Sequence, residues 1–326
     1  MSQRCNRERI TVMAGANSKS EQCKPAVGTA RRLRDILRQQ AIMVPGVLDA
    51  VTGRLAERLG YAAVYLSGAA FSASLGLPDV GLVTLTELVE RTRQLCLAVN
   101  LPVLVDADTG FGEAVHVERS VRLLEQAGAA GLHLEDQELP KRCGHLSGKC
   151  LVPVEVMVQK LRAAQSARQN PDFLLLARTD ARSVEGLDAA IRRAQAYLQA
   201  GADGIFPEAL ESAEEFAAFA RAVPGLLVAN MTEFGKSPLL DFATLAELGY
   251  RIVLYPVTLM RLAWKAAEEG LRVLRQHGHQ RQLLPRMLTR QELYDLLDYH
   301  EYEERDRQYF TAGSTAAITP TQETSG

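Results

Sequence analysis

From about residue 41 the chain alternates two patterns, short and wholly apolar runs against longer stretches whose apolar residues recur every three or four positions. The short runs are Ile42–Val44, Ala63–Leu66, Val103–Val105, Leu132–Leu134, Phe173–Leu176, Gly204–Phe206, Leu226–Val228 and Ile252–Leu254. Runs this short, apolar on both alternations and bounded by polar residues, read as parallel strands covered on both faces. Between them, Leu85–Val99, Val117–Ala127, Val154–Ser166, Leu187–Ala200 and Leu259–Leu274 carry the helical period, and Gly128 and Gly201 stand at expected helix stops. Repeats of strand and helix at intervals of roughly 25 to 30 residues predict an α/β protein. Eight of them close naturally into a (β/α)8 TIM-type barrel. A doubly wound sheet is the competing topology.

Two further helical stretches, Ala30–Gln39 before the first strand and Gln291–Arg307 near the end, decorate the eight units. No linker interrupts the pattern, so residues 29–310 read as one domain, between a flexible extension over 1–28 and a disordered, Thr-, Ala- and Ser-rich tail over 311–326. Leu59–Pro78 is uncharged and as long as a membrane span, but its Gly, Ser and Pro residues make it strand followed by loop. The first 28 residues lack the apolar stretch of a secretory signal.

Composition narrows the picture. With 37 Lys and Arg against 39 Asp and Glu, no overall field recommends nucleic acid or an anionic membrane. Five cysteines without a C-x-x-C pair argue against a disulfide framework or a zinc site and fit a reducing cytoplasm.

Polar residues gather where the strands end. Ser67 and Gly68 follow the second strand, Asp106 and Asp108 the third, Glu135 and Asp136 the fourth. Arg178, Thr179 and Asp180 end the fifth, Glu208 follows the sixth, Asn230, Thr232 and Glu233 the seventh, and Tyr255-Pro256 the eighth. In a barrel these positions meet on one face, where barrel active sites are built. Asp106 and Asp108 share a face if the strand persists, and with Glu135 they offer hard oxygen ligands suited to Mg²⁺ or Mn²⁺. Taken alone, the Asp-x-Asp pair reads more simply as a helix cap.

In the segment 141–145, Lys141, Arg142 and His145 surround Cys143, and cationic neighbours lower a thiol's pKa, which makes Cys143 a candidate proton donor. The plainer reading is a small filler cysteine beside an exposed basic patch. Gly144 lets the loop close. The run Gly144–Cys150 imitates a nucleotide-binding P-loop, but its glycine spacing is one residue short and Cys150 stands where Ser or Thr would hold Mg²⁺. Likewise Val115 replaces the third glycine of a dinucleotide fingerprint begun at Gly110. His133 reads as a hydrogen-bonded core residue and Trp264 as helix packing.

At Tyr65–Gly68, Ser74–Asp79, Val105–Asp108, Leu134–Gln137, Lys141–His145, Ala177–Asp180, Phe206–Ala209 and Asn230–Gly235 the chain resembles the isocitrate lyase/phosphoenolpyruvate mutase superfamily, over nearly everything from Arg31 to Tyr309. The resemblance implies a carbon–carbon lyase in which Asp106 and Asp108 hold Mg²⁺, with Asp79 and Glu135 behind them. It implies that Ser67, Gly68, Ala69, Cys143, Gly144, Arg178, Glu208, Asn230, Met231, Thr232, Arg261 and Arg290 hold a tricarboxylate substrate. Cys143 then delivers the proton, assisted by Lys141, Arg142 and His145, and Tyr65 is a candidate base, with simple ring packing as its alternative. The implied reaction cleaves 2-methylisocitrate to pyruvate and succinate, a step of propionate breakdown through the methylcitrate cycle.

Isocitrate, 2,3-dimethylmalate and oxaloacetate, the last by decarboxylation, are the alternative substrates, and a barrel that binds a metabolite without turnover is a remoter one. Phosphonopyruvate mutases and oxaloacetate decarboxylases lack the cysteine loop. Isocitrate lyases carry Trp where Phe206 stands, and Phe206, Leu254 and Pro256 are therefore the residues expected to set substrate choice. The family's Ser-Gly-Gly appears here as Ser67-Gly68-Ala69, which would strain the loop if the second glycine needs a positive φ. The resemblance also implies a homotetramer that exchanges the helices after Leu259 between paired subunits.

Overall fold

The computed structural model describes residues 28–314. Most of the two expected terminal extensions therefore lies outside the described residues. The eight strands are β1 (Ile42–Pro45), β2 (Val64–Leu66), β3 (Val103–Asp106), β4 (Gly131–Glu135), β5 (Leu174–Thr179), β6 (Gly204–Pro207), β7 (Leu226–Asn230) and β8 (Tyr250–Tyr255). All pair in parallel in the order β1-β8-β7-β6-β5-β4-β3-β2. At the remaining seam Val47 N–H donates to the Tyr65 carbonyl at 2.9 Å, so the sheet returns on itself as the expected barrel.

Two apolar layers hold it. Outside the sheet, residues such as Val105, Leu132 and Leu134 pack against Leu161, Ala190, Tyr197 and Phe216 of the surrounding helices. Inside, Tyr65, Leu104, Leu176, Phe206, Val228, Ile252 and Leu254 fill the lumen. Helix Thr29–Gln39 closes the end opposite the site, because Ala30, Leu33 and Leu37 recur at helical spacing and join Ile42 and Leu174 in that inner cluster. A barrel plugged below and filled in its middle leaves one open face, at the strands' C-terminal ends. Among the described residues no helix is long and apolar enough to cross a membrane.

Three local expectations change. Residues after β2 form a helix, Gly68–Ser74, and not a plain loop: Ser67 caps it, its Oγ accepting from Ala70 N–H at 3.3 Å. Seven residues rich in Gly, Ala and Ser carry too little periodicity to announce it. The C-terminal segment divides into Arg290–Leu296 and Tyr299–Ser314, because Asp298 takes φ 55° and its carboxylate, with the Leu296 carbonyl, is gripped by Arg54 at 2.6 and 3.0 Å. Trp264, expected as helix packing, is 41% exposed and not buried in this chain. Of the twenty residues of helix Thr258–His277 only Val273 is buried, and Leu262, Trp264 and Leu271 are exposed.

Candidate active site

The strand register assembles the site. Asp106 on β3 lies beside His133 on β4, and Glu135 on β4 lies beside Arg178 on β5, which lies beside Phe206 on β6. Neighbouring parallel strands thus bring two acids, an imidazole, a guanidinium and a ring into lateral rows that no spacing along the chain encodes.

Asp106 ends β3, while Asp108 stands just past it at φ 46°, so a left-handed turn and not the strand pleat brings the two carboxylates together. Both face the same point. A Cβ built on Gly68 would lie 2.9 Å from Asp106 Oδ2 and 3.4 Å from Asp108 Oδ1, and Gly68 N–H donates to Asp106 Oδ2 at 3.1 Å. Burial works against the Asp106 charge, yet His133, Lys141 and Arg178 outweigh it and bring its pKa down to about 2. Asp108 moves the other way, to about 6, through burial and its neighbour Asp106.

Beneath the acids, the Tyr65 hydroxyl lies 3.2 Å from Asp106 Oδ2 and 2.8 Å from His133 Nε2. The phenol has one hydrogen to give, and donating it to Asp106 leaves its lone pair for His133 Nε2–H. Burial, then Asp106, holds the Tyr65 pKa well above its ordinary value, and burial lowers that of His133. His133 faces the lumen, as expected, with Phe206 edge-on at 5.2 Å.

Arg178 is buried among carboxylates. Asp180 grips it through both oxygens at 3.0 and 3.2 Å, Glu135 Oε2 lies 3.3 Å from Nε, and Glu208 Oε2 lies 3.5 Å from Nη2. Burial disfavours its charge, but these acids hold its pKa well above the ordinary value. The guanidinium lies 5.3 Å above the Phe206 ring. Glu208 in turn accepts from Asn230 Nδ2 at 3.1 Å and from Ala209 N–H at 3.1 Å, and His145 Nε2 stands 2.7 Å from it.

The loop carrying Cys143 lies on this cluster. A Cβ on Gly144 would fall 2.3 Å from Glu208 Cγ and 2.5 Å from Arg178 Nη2, so only a glycine lets the backbone come this close. Gln137 holds the loop by bonding both the N–H and the carbonyl of Arg142 at 2.9 Å, and Lys236 N–H donates to His145 Nδ1 at 3.0 Å.

The charged neighbours of Cys143 do not act as expected. Lys141 turns away to pair with Asp108 Oδ1 at 2.6 Å and with Asp79, and the Arg142 guanidinium is exposed beside the Ser147 carbonyl. With both cations committed elsewhere, burial dominates and raises the Cys143 pKa, against a smaller downward pull from the His145 N–H. The thiol is held protonated.

Other expected residues are placed unevenly. Ser67 is buried at the helix cap, and Ala69 lies within helix Gly68–Ser74, so its backbone is unstrained. Asn230 Oδ1 is buried with no hydrogen-bond partner, free to serve a ligand. Thr232 lies half-buried past β7. The Met231 side chain sits in the outer core and its N–H serves the Leu254 carbonyl at 2.8 Å. Leu254 lines the lumen with Phe206, whereas the Pro256 carbonyl is pressed against Gly46 at the β1–β8 seam. Arg261 lies over the exposed Phe234 ring at 5.2 Å and 3.6 Å from Glu233. Arg290 is exposed, on a helix anchored to Arg54 of helix Ala50–Arg58, and among the described residues no hydrogen bond or ion pair joins it to the other site residues.

Two supporting roles were missed. Asp180 clamps Arg178, and the Arg-x-Asp spacing at the end of β5 was the available signal. Lys160 lies among Met157, Leu161 and Ala164 on the buried face of helix Val154–Ala167 and donates to the Thr109 carbonyl at 3.1 Å, next to Asp108. A lone lysine at apolar spacing was its signal.

A plugged parallel barrel that gathers paired acids, a buried guanidinium and a half-buried thiol on its open face has the chemistry to hold a small polyanion and give it a proton. The family model described as phosphoenolpyruvate phosphomutase matches residues 33–275. A 2-methylisocitrate lyase of Aeropyrum pernix is 54% identical over 275 residues, covering 84% of this chain and 89% of its own. A 2,3-dimethylmalate lyase of Eubacterium barkeri is 44% identical, covering 87% of this chain and 99% of its own. The solved structure of a phosphonopyruvate hydrolase in complex with oxalate and Mg²⁺ superposes with a TM-score of 0.78 at 30% identity, covering 86% of this chain and 99% of that one. The chain belongs to the phosphoenolpyruvate mutase/isocitrate lyase superfamily.

Proposed function

We propose that this protein cleaves 2-methylisocitrate to pyruvate and succinate with Mg²⁺ bound, Mn²⁺ being an acceptable substitute. The observation that carries the reading is the seat of the Cys143 loop, whose Gly144 rests on Arg178 and Glu208 and brings the thiol, its pKa raised by burial, to that pair. The cleavage of 2-methylisocitrate is also supported by the identity to the Aeropyrum pernix lyase.

The residues present fit a divalent cation. Among the described residues no three His, Cys, Asp or Glu side chains form a ready-made metal cage. Asp106 and Asp108 nevertheless open toward one point, and Glu135 Oε1 nearby is buried without a hydrogen-bond partner. A cation held by Asp106 and Asp108 supplies positive charge where negative charge develops on the substrate oxygens.

The chain's own groups do the rest. Arg178, permanently charged, receives a substrate carboxylate and orients it. The substrate's hydroxyl proton passes to the Tyr65 oxygen as the phenol's own hydrogen moves to Asp106 Oδ2, 3.2 Å away, and breakage of the adjacent C–C bond then leaves pyruvate and a succinate carbanion. That carbanion takes the Cys143 proton, and the seated loop keeps water from supplying it instead. Phe206 forms the floor under Arg178, where its ring, smaller than an indole, leaves space for the added methyl group.

The assembly is a cytoplasmic homotetramer acting in propionate breakdown. Support for self-association is helix Thr258–His277, which buries one residue in twenty against its own chain. The test is a panel of 2-methylisocitrate, isocitrate, 2,3-dimethylmalate and oxaloacetate under one Mg²⁺ condition, comparing kcat/KM. 2-Methylisocitrate is expected to lead, and a higher value for any other member would overturn the substrate assignment. Light scattering that found a stable monomer would overturn the assembly.

A further inference from the structure

Lys149, the lysine of the discarded P-loop lookalike, has no part in the reaction above, yet its side chain is only 1% exposed. A buried ammonium is costly unless it is fully partnered. It is partnered by two groups that matter to the site. Its Nζ lies 2.8 Å from Asp180 Oδ1 and donates to the Gly144 carbonyl. Asp180 is the carboxylate that grips Arg178 through both oxygens. Gly144 is the residue whose Cα rests on Arg178 and Glu208. Gly148, at φ 79°, turns the chain so that the next residue can reach back beneath the loop it closes.

One ammonium therefore ties the middle of the Cys143 loop to the carboxylate that orients the guanidinium. The other ties differ in kind. Gln137 holds the backbone of Arg142, before the thiol, Lys236 N–H holds His145 from the loop after β7, His145 Nε2 lies 2.7 Å from Glu208, and Lys141 pairs with Asp108 and Asp79. None of these connects the loop to Asp180.

We infer that Lys149 is a positioning residue that latches the Cys143 loop in its seat by bridging Gly144 and Asp180, so that proton delivery depends on this bridge. It touches neither substrate nor reacting atoms. The inference rests on Cys143 being the proton donor, and the test separates the two.

The experiment compares wild type with Lys149→Met and Lys149→Arg in the full chain. It reads site-resolved alkylation of Cys143 by iodoacetamide, kcat and KM for 2-methylisocitrate with Mg²⁺, and thermal melting. Exposed Cys150 is the internal reference for alkylation. Removing a nearby cation would by itself slow thiol alkylation, so acceleration reads loop opening and not acidity.

The latch predicts that Lys149→Met speeds Cys143 alkylation on the order of tenfold. It also predicts that kcat falls by about 10²-fold while KM changes far less, with Lys149→Arg partly restoring both. Unchanged alkylation overturns the latch, whatever happens to kcat. Faster alkylation with undiminished kcat supports the latch and instead sinks Cys143 as the donor. If Lys149→Met does not melt cooperatively, Lys149→Gln, which keeps a donor for the Gly144 carbonyl and loses the charge, is read by the same criteria.

Discussion

Replacing Gly144 by alanine isolates the contact on which the proposed chemistry depends. The backbone at Gly144 is not in the left-handed region, so alanine brings no conformational penalty of its own. The cost is steric: the new Cβ would meet Glu208 Cγ at 2.3 Å, Arg178 Nη2 at 2.5 Å and Glu208 Cδ at 2.6 Å, where ordinary contact begins at 3.4 Å. The partners cannot yield. Glu208 is fixed by Asn230, by the Ala209 N–H and by Arg178, and Arg178 by Asp180 and Glu135. The loop must therefore rise by about 1 Å, the difference between those distances and an unstrained contact. A misplacement of that size between a proton donor and its carbon costs about 10²-fold in rate, or about 2.7 kcal/mol of transition-state stabilisation. The assay is pyruvate release from 2-methylisocitrate at saturating Mg²⁺, with melting followed in parallel. A large fall in kcat with little change in melting is expected, because the loop makes a small part of the core. A Gly144→Ala enzyme that melts normally and keeps kcat within about threefold of wild type would refute the seated loop.

Cys143→Ser should lower kcat by about 10²- to 10⁴-fold, the usual worth of a positioned acid, while circular dichroism shows an intact fold; full activity would remove Cys143 from the mechanism. Because burial raises the Cys143 pKa and the protonated form is the active one, kcat should persist through neutral pH and fall only as pH rises through the raised pKa. An alkaline limb in wild type, absent when Cys143 is replaced, centred below the ordinary thiol value of 9.0 would contradict this. Phe206→Trp should fill the floor beneath Arg178 and shift kcat/KM from 2-methylisocitrate toward isocitrate by about 10- to 200-fold, the worth of one methyl group; an unmoved ratio would take substrate choice away from this ring. Arg193→Met breaks a buried network in which Arg193 bonds Glu185 at 2.6 Å and Tyr197 at 3.1 Å beside Asp136. Chemical denaturation should show a loss of about 3 kcal/mol, and a loss under about 1 kcal/mol would show that the donors left to Asp136, namely Thr179 Oγ1, the Tyr197 hydroxyl and the Asp180 N–H, satisfy it without Arg193.

The parts of the fold and site that were legible in the chain are those where chemistry and chain direction coincide. Parallel strands covered on both faces must be apolar throughout, so eight such runs announce a barrel, and polar residues placed just past them land on one face whatever their exact contacts. Asp106, Arg178 and Glu208 were visible for that reason. Side chains in loops obey no such period. Lys141 stands two residues from Cys143, but the unpaired charge of Asp108 and Asp79 draws it to the other side of the site, and the thiol's acidity turns on burial that sequence proximity does not report. Asp180 and Lys149 were obscure for a related reason: each serves a group rather than the substrate, and such service is decided by where strands meet in register. Helix Thr258–His277 shows the limit from the opposite side. Its apolar spacing is genuine and was read as packing, yet within this chain nothing but Val273 is buried on it. A pattern records that a face is to be covered and leaves open what covers it; the exposure of Trp264 and Leu271 shows that this barrel's own core is not that surface.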